Sequence, residues 1–257
     1  MKILLTNDDG VNSLSLKILK EILEKAGWDV TVVAPIQEES GAGHRITIFR
    51  HLQLKEIYND GKFFGYALSG SPADCVKFAV NEIFSKEPDI VISGINRGYN
   101  LGTNILYSGT VAAAIEASFM NIPAIAVSSC FDLKEMDIKG ISEFIVKCVK
   151  WRLNSKIPND TVLNINIPAG NIKNVKGIKI TRQGKLYYQD YFKIEEKTNQ
   201  KLVINVGDKI KDPENDLKTD SFALKSGYIS ITPLHFDLTD YETVKKLSEI
   251  DINIDNN

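Results

Sequence analysis

The stretch KILLTNDDGVNSLSLKILKEILEKAGWDVTVVAP, residues 2–35, contains a β-α-β unit. Residues 2–6 are a short apolar run typical of a buried strand, and residues 30–35 form a second such run, VTVVAP. Between the two runs, apolar side chains recur at helical spacing at Leu16, Leu19, Ile22, Leu23 and Ala26. Because a crossover of this length joins parallel strands, the stretch predicts a parallel sheet.

The alternation of strands and helices continues to about residue 150. A helical pattern in residues 71–84, opened by Ser71 as N-cap and Pro72 in the first turn, leads into the strand DIVISG. A third helix, Thr110 to about Met120, leads into the strand PAIAVSS. This order predicts a doubly wound α/β core with a mostly parallel, Rossmann-like sheet, whose ligands bind at the carboxyl ends of the strands.

The pattern changes in the second part of the chain. Short strand-like runs follow one another there, VLNINIP, GIKITRQ and YISITPL, with KLVINV inside a polar stretch. We therefore expect one unit over residues 1–257, made of a core of about 1–150 and a β-rich C-terminal extension of about 151–257. No clean linker separates the two parts.

Composition and charge narrow the class of protein. A chain of 257 residues with 43% hydrophobic and 25% charged residues has an ordinary globular composition. The net charge of -2 shows no bias toward nucleic acid or an anionic membrane, so we expect neither partner. The three cysteines are far apart and odd in number, and no signal peptide pattern is present, which predicts reduced thiols in a cytoplasmic protein.

Two adjacent carboxylates, Asp8 and Asp9, follow the first strand directly. Each raises the pKa of the other unless a cation neutralises both, and a hard divalent ion does so. Gly10 permits the turn that would bring both carboxylates to one ion. The same segment also fits a polar turn with aspartate as a helix cap, so both interpretations stay open here.

Two further loops follow predicted strands. The segment PIQEESGAGHR brings Ser40 and two glycines to the end of the second strand, where exposed backbone N–H groups can hold an anion. After the DIVISG strand comes a loop rich in glycine and asparagine, then Ser108, Gly109 and Thr110 at the start of a helix. A helix N-terminus favours phosphate, although Ser108 or Thr110 also fits a simple cap.

Taken together, these stretches resemble the SurE family of survival-protein nucleotidases, which use a divalent metal to remove phosphate from nucleoside monophosphates. The resemblance covers almost the whole chain, in the family's order. It rests on TNDDG, VVAP followed by ESGAGHRIT, SGSPADCV, PDIVISGINRGYNLGTNILYSGTVAAAIEA, LNINIP, ITRQG and GYISITPLHFDLT.

The resemblance implies a metal site and a phosphate site. One divalent ion per subunit, Mg²⁺ or Mn²⁺, would be bound by oxygens of Asp8, Asp9, Ser40 and Asn96, a set that suits such ions. It further implies phosphate contacts at Asn7, Gly41, Asn96, Ser108, Gly109 and Thr110. It also implies a β-rich extension that exchanges elements between subunits, giving a homodimer or homotetramer.

The sequence names further candidates and shows departures from the family. His44 is a candidate substrate contact and general acid, and His51 and His235 rank below it. VNSLSL follows DDG where the family has a small residue and proline, and Tyr241 stands four residues after Asp237 where some members have histidine. Arg97 is a candidate for a phosphate or base contact, and Tyr99 and Tyr107 are candidates for base stacking.

We therefore expect a phosphomonoesterase acting on nucleoside 5′-monophosphates, with 3′-monophosphates and short polyphosphate as further candidate substrates. A metal-activated water would attack phosphorus in line, and Asp8 or Asp9, the expected catalytic residues, would accept its proton. Two alternatives stay open, a non-catalytic nucleotide sensor and a phosphatase that forms a covalent aspartyl-phosphate. Haloacid-dehalogenase-type enzymes space their acids one residue apart, whereas these two are adjacent.

Overall fold

The computed structural model describes residues 1–189, 192–197, 200–205 and 209–250. Thirteen strands are described, β1 (Lys2–Thr6), β2 (Asp29–Pro35), β3 (Leu54–Asn59), β4 (Lys62–Leu68), β5 (Ile90–Arg97), β6 (Ala124–Ser129), β7 (Val162–Asn166), β8 (Ile178–Ile180), β9 (Tyr187–Gln189), β10 (Phe192–Lys197), β11 (Gln200–Asn205), β12 (Lys209–Lys211) and β13 (Ile229–Leu234). The described α-helices are α1 (Leu14–Lys25), α2 (Pro72–Phe78), α3 (Gly109–Phe119), α4 (Glu135–Asn154), α5 (Asp220–Lys225) and α6 (Tyr241–Leu247).

A nine-stranded sheet in the order β3-β4-β2-β1-β5-β6-β7-β13-β8 runs through the molecule. All its pairs are parallel except β3 with β4 and β13 with β7. The chain continues from β1 to β2 on one side and later returns to β5 on the other. The carboxyl ends of β1 and β5 therefore flank the switch point of the sheet, where doubly wound proteins bind their ligands.

Helices cover both faces of the sheet, which confirms the predicted doubly wound α/β core. Helices α1 and α4 pack on one face, and α2 and α3 pack on the other. Strand β1 contributes to the hydrophobic core on both faces of the sheet. Ile3 and Leu5 pack on the face covered by α1 and α4, and Leu4 packs on the face covered by α2 and α3. Burial on both faces explains why this strand is an uninterrupted apolar run.

Serine side chains cap α1 and α2, and the cap at Ser71 was predicted from the sequence. Ser13 caps α1 by accepting a hydrogen bond from the Leu16 N–H. Ser71 caps α2 in a reciprocal capping box with Asp74. Helix α2 is shorter than its sequence pattern, since residues Ala79–Ile83 form a π-helical turn.

The second part of the chain is more integrated than its sequence suggests. Strands β7, β13 and β8 extend the central sheet, while β9 pairs with β12 and β10 with β11 in two small separate sheets. The boundary at about residue 150 stays a prediction, and residues 190–191, 198–199, 206–208 and 251–257 of the predicted extension lie outside the described residues.

Cys75, Cys130 and Cys148 are free thiols, as the sequence predicted. In the described ranges, no helix has the length and apolar character needed to span a membrane.

Candidate active site

A cavity of about 760 Å³ opens at the carboxyl ends of β1 and β5. Asp8 lines it from the acidic turn, the segment Asp8, Asp9 and Gly10 that follows β1. The loop after β2, the end of β5 and the start of α3 contribute further residues to its wall, namely Ser40, Gly41, Asn96 and Ser108. The three loops selected from the sequence therefore meet at one place.

Asp8 is buried and held by the first turn of α3. Its Oδ1 accepts a 2.6 Å hydrogen bond from the Thr110 hydroxyl, and its Oδ2 accepts a 3.1 Å hydrogen bond from the Thr110 N–H. Glycine at position 109 favours this close approach, because a Cβ there would lie 3.0 Å from the Asp8 Cβ and 3.1 Å from Pro72 Cγ. The acidic turn and the helix start therefore form one rigid corner.

Asp9 stands beside this corner with an unsatisfied oxygen. Its Oδ2 is buried and has no hydrogen-bond partner among the described residues. Burial and then the charge of Asp8 raise the pKa of Asp9 to about 6, although the backbone N–H of Arg97 opposes the shift. Burial also raises the pKa of Asp8, against the lowering effect of the Thr110 hydrogen bonds.

A divalent cation would offset the electrostatic cost of burying these two carboxylates. The oxygen atoms available here are ligands that such a cation accepts. Two close carboxylates, one with an orphaned oxygen, are stabilised together when a cation neutralises both. In the described part of the chain no three His, Cys, Asp or Glu side chains form a metal cluster. A site here would consist of two carboxylates and neutral oxygens, which Mg²⁺ and Mn²⁺ accept.

The two neutral oxygen donors predicted for the metal line the same cavity. Asn96 Nδ2 donates a 2.8 Å hydrogen bond to the Gly98 carbonyl, which leaves Oδ1 as the remaining side-chain acceptor. The exposed Ser40 hydroxyl donates a 2.6 Å hydrogen bond to Glu38, so its lone pairs remain free to act as ligands.

The predicted phosphate contacts occupy different places in the site. Ser108 lines the cavity and caps α3 by accepting from the Val111 N–H at 3.1 Å. Both donors of Thr110 go to Asp8, which leaves the Gly109 N–H as the first-turn amide outside these contacts. Asn7 is fully buried and donates to the Gly10 carbonyl and the Ser13 hydroxyl, so it shapes the acidic turn.

The loop after β2 is fastened to the cavity by Gly43. Its N–H donates to the Tyr107 carbonyl at 3.0 Å, and its backbone has φ +56°. A Cβ at this position would lie 3.2 Å from the Leu106 carbonyl oxygen. Gly41, also in the left-handed region at φ +73°, is thereby held at the cavity wall.

His44 lies at a neighbouring cavity of about 200 Å³. Its Nε2 is 2.8 Å from Glu116 Oε2, and its ring stacks on Phe119 at 5.2 Å. Burial raises the pKa of Glu116, but hydrogen bonds from His44 and Lys77 outweigh it and hold that pKa below its usual range. The role of His44 as general acid stays a prediction.

The other two histidines and Asp237 are not among the described residues that line the cavity of about 760 Å³. His235 Nε2 is 3.3 Å from Asp160 Oδ2, and His51 is exposed before β3. The Tyr241 hydroxyl donates to Asp237, and hydrogen bonds from Thr239 and Tyr241 lower the pKa of Asp237 to about 2. Tyr241 therefore acts as a hydrogen-bond donor to the side chain of Asp237.

Buried asparagine amides outside the predicted site residues hold the loop after β5. The Asn100 N–H donates to Asn166 Oδ1 at 2.9 Å, and the Asn100 carbonyl accepts from the amides of Asn164 and Asn166. Asn100 Nδ2 donates to the Ser128 hydroxyl at 2.8 Å. The signal was present in LNINIP, since two asparagines in a buried strand need partners.

The fold and the cavity first define a class, the doubly wound α/β proteins with a polar ligand site at the switch point of the sheet. The family described as "Survival protein SurE" matches residues 3–190. This match covers most of the chain, and the chain belongs to the SurE family.

Similar proteins support this assignment over nearly the full length. The chain is 45% identical over 252 residues to "5'-nucleotidase SurE" of Caldanaerobacter subterraneus subsp. tengcongensis, covering 98% of each protein. It is 44% identical over 250 residues to the protein of the same name from Carboxydothermus hydrogenoformans, covering 96% of this chain and 95% of that protein. The crystal structure of the SurE protein from Aquifex aeolicus superposes with a TM-score of 0.82 at 39% identity, covering 97% and 99% of the chains.

Proposed function

We propose that this protein is a divalent-metal-dependent 5′-nucleotidase that hydrolyses nucleoside 5′-monophosphates. The names of its close relatives support the activity. The observation that carries the proposal is the adjacent pair Asp8 and Asp9, whose raised pKa values and orphaned Oδ2 atom call for a cation beside a helix N-terminus.

Asp8, Asp9, Ser40 and Asn96 are the residues we assign to hold one Mg²⁺ or Mn²⁺ ion per subunit. When bound, the ion supplies Lewis acidity toward the phosphate and lowers the pKa of water. No other cofactor is required by the chemistry of these side chains.

We assign the side chains and backbone groups of the site separate roles in phosphate hydrolysis. Asp8 has both oxygens engaged by Thr110, which suits a fixed anchor. The pKa of Asp9 is raised to about 6, so we assign this carboxylate to accept the proton of the attacking water. We assign the Gly109 N–H, Ser108 and the Gly41 backbone to stabilise charge on the phosphate oxygens, since Gly41 and Ser108 line the cavity and Gly109 opens α3.

The cavity leaves room for related phosphomonoesters. Its volume of about 760 Å³ lies within the range of pockets for whole small-molecule ligands, so 3′-monophosphates and short polyphosphate are further proposed substrates. The balanced net charge gives no reason to add nucleic acid or a membrane as partners. A cytoplasmic location also stays a proposal, supported by the free thiols.

We also propose that the chain forms a homodimer or homotetramer by exchanging its extension. Strands β10 and β11 form a two-stranded sheet by themselves, and such a hairpin is marginal in water. Large apolar side chains of this hairpin are exposed, Phe192 by 65%, Ile194 by 62% and Val203 by 61%. A second copy that receives the hairpin would cover them.

The enzymatic proposal is tested by phosphate release from 5′- and 3′-nucleoside monophosphates in EDTA, Mg²⁺ and Mn²⁺. We expect release only with metal, and a loss of roughly a hundredfold or more in Asp9→Asn. Asp60→Asn, an exposed aspartate in the turn between β3 and β4, is the matched control and should keep full activity. Binding of nucleotide without turnover under any metal would instead support the sensor alternative, and a trapped aspartyl-phosphate would support the covalent one.

A further inference from the structure

Three tyrosines line the main cavity together with the carboxylate corner, Tyr99, Tyr107 and Tyr187. We propose that they form a nucleobase subsite in which Tyr187, contributed by the extension, is the specificity-determining residue that favours base-bearing phosphomonoesters over baseless ones. The inference rests on the proposed function, because it assigns the far end of the same substrate.

Tyr187 is distant in sequence but fixed in place. The Leu186 carbonyl accepts hydrogen bonds from the Thr103 N–H at 2.9 Å and from the Thr103 hydroxyl at 3.1 Å. Gly102 permits this approach, since a Cβ there would lie 2.5 Å from the Leu186 carbonyl oxygen. The residue just before Tyr187 is thus fastened to the loop that follows β5.

A second set of contacts fastens the same two segments. Gln183 Nε2 donates to the Gly102 carbonyl at 2.8 Å. The buried carboxylate of Asp220 accepts from the Gly102 N–H and from the Gly184 N–H, each at 2.9 Å. These hydrogen bonds join residues 183–186 to residues 102–103, so the backbone that leads into Tyr187 is held beside the cavity that its side chain lines.

The three rings are available to a ligand. Tyr107 is 65% exposed and Tyr187 is 45% exposed, and Tyr99 is half-buried. Among the described residues none of these three rings stacks on another aromatic ring. Exposed aromatic faces beside a phosphate site are the arrangement that binds nucleobases by stacking.

Arg97 does not compete for this role. Its guanidinium lies over the Phe131 ring at 4.7 Å, and its Nε donates to the Phe131 carbonyl at 3.2 Å. Because stacking accepts every base and Arg97 is engaged elsewhere, the subsite should bind purines and pyrimidines with similar affinity.

The test compares a nucleoside 5′-monophosphate with ribose 5-phosphate, which lacks the base, on wild type, Tyr187→Ala and Tyr187→Phe. We expect Tyr187→Ala to raise KM for the nucleotide roughly five- to tenfold while leaving KM for ribose 5-phosphate unchanged. Tyr187→Phe should retain the wild-type preference because it keeps the ring. Tyr58→Ala, which removes an exposed tyrosine from β3, controls for general effects of losing a surface aromatic and should change neither KM.

Equal changes for both substrates, or no change for the nucleotide, would overturn the subsite. Failure of the proposed function is separate, since it would show as no phosphate release by wild type from either substrate. In that event calorimetry of the same two ligands decides the inference. Weaker nucleotide binding by Tyr187→Ala alone would support it, and unchanged nucleotide affinity would refute it.

Discussion

At the scale of single residues, the site is built around carboxylates that repel one another. Asp8 is fixed by two hydrogen bonds from Thr110, and burial, followed by the charge of Asp8, raises the pKa of Asp9. Without a cation, the folded protein therefore keeps two neighbouring carboxylates out of water, whereas the unfolded chain would leave both solvated. The energetic penalty is the physical reason to expect a metal at this corner.

The free energy of unfolding of the metal-free protein should depend on pH through the carboxyl group of Asp9. The pKa of Asp9 is about 6 in the folded state and 3.8 ordinarily, so the folded state binds more protons between these values. The Asp9 contribution to stability is therefore present below pH 4 and is lost as the pH rises through 6, by about 1–3 kcal/mol. Urea unfolding in EDTA from pH 4 to 7 measures it, and Asp9→Asn should remove this component of the pH dependence.

Added Mg²⁺ or Mn²⁺ should restore stability at pH 7 in wild type more than in Asp9→Asn, because binding to the folded state alone stabilises it. An identical pH profile for wild type and Asp9→Asn would contradict the electrostatic account of this residue.

The small size of Gly109 allows the start of α3 to approach Asp8 closely. Gly109→Ala places a methyl group 3.0 Å from the Asp8 Cβ and 3.1 Å from Pro72 Cγ, so these neighbours or the start of α3 must shift by a few tenths of an ångström. We expect kcat/KM to fall roughly tenfold to a hundredfold, because small displacements of catalytic groups are expensive. Gly140→Ala in α4, where the nearest atom is an Ile172 methyl group, is the control. Full activity in Gly109→Ala would show that this close packing is not needed.

At the scale of elements, local patterns predicted the strands and helices that form the core. Strands β1, β2, β5 and β6 are buried apolar runs, and α1 and α3 have clear helical spacing or caps. The hairpin of β3 and β4 was not predicted, because β3 is an exposed edge strand without apolar alternation. Helix α4 was also not assigned from the sequence.

The site shows the same division between local and long-range information. Asp8, Ser40 and Ser108 were predicted because they follow buried strands or open a helix, and strand ends of a doubly wound sheet meet, whereas Asn96 was implied by the family resemblance. Tyr187 was not selected, because its place depends on hydrogen bonds to residues more than 80 positions earlier. No periodicity within a short window reports such a contact.

The asparagine network between β7 and the loop after β5 is an element-scale prediction. Asn166→Leu leaves the buried Asn100 N–H without its acceptor, which should destabilise the protein by about 1–3 kcal/mol and loosen the cavity wall. Thermal unfolding and KM should both report the change. Asn154→Leu, an exposed asparagine of α4, should alter neither, and a silent Asn166→Leu variant would show that the loop is held by other contacts.

At the scale of the whole molecule, the exposed hairpin predicts assembly. If β10 and β11 are covered by a second copy, Ile194→Lys should shift the protein toward a monomer, because it places a charge on an apolar contact. Light scattering after size exclusion measures the mass directly. Lys193→Glu, on the same strand, is the matched change at a charged position. A monomeric wild type would contradict the exchange.

The acidic turn is proposed to bind one divalent ion beside the phosphate site. Calorimetric titration of Mn²⁺ into metal-free protein measures this binding, with Asp9→Asn and Asp60→Asn compared under the same conditions. We predict one ion per chain for wild type and Asp60→Asn, and at least roughly tenfold weaker binding for Asp9→Asn. Equal Mn²⁺ affinity in wild type and Asp9→Asn, or no binding to wild type, would contradict the account.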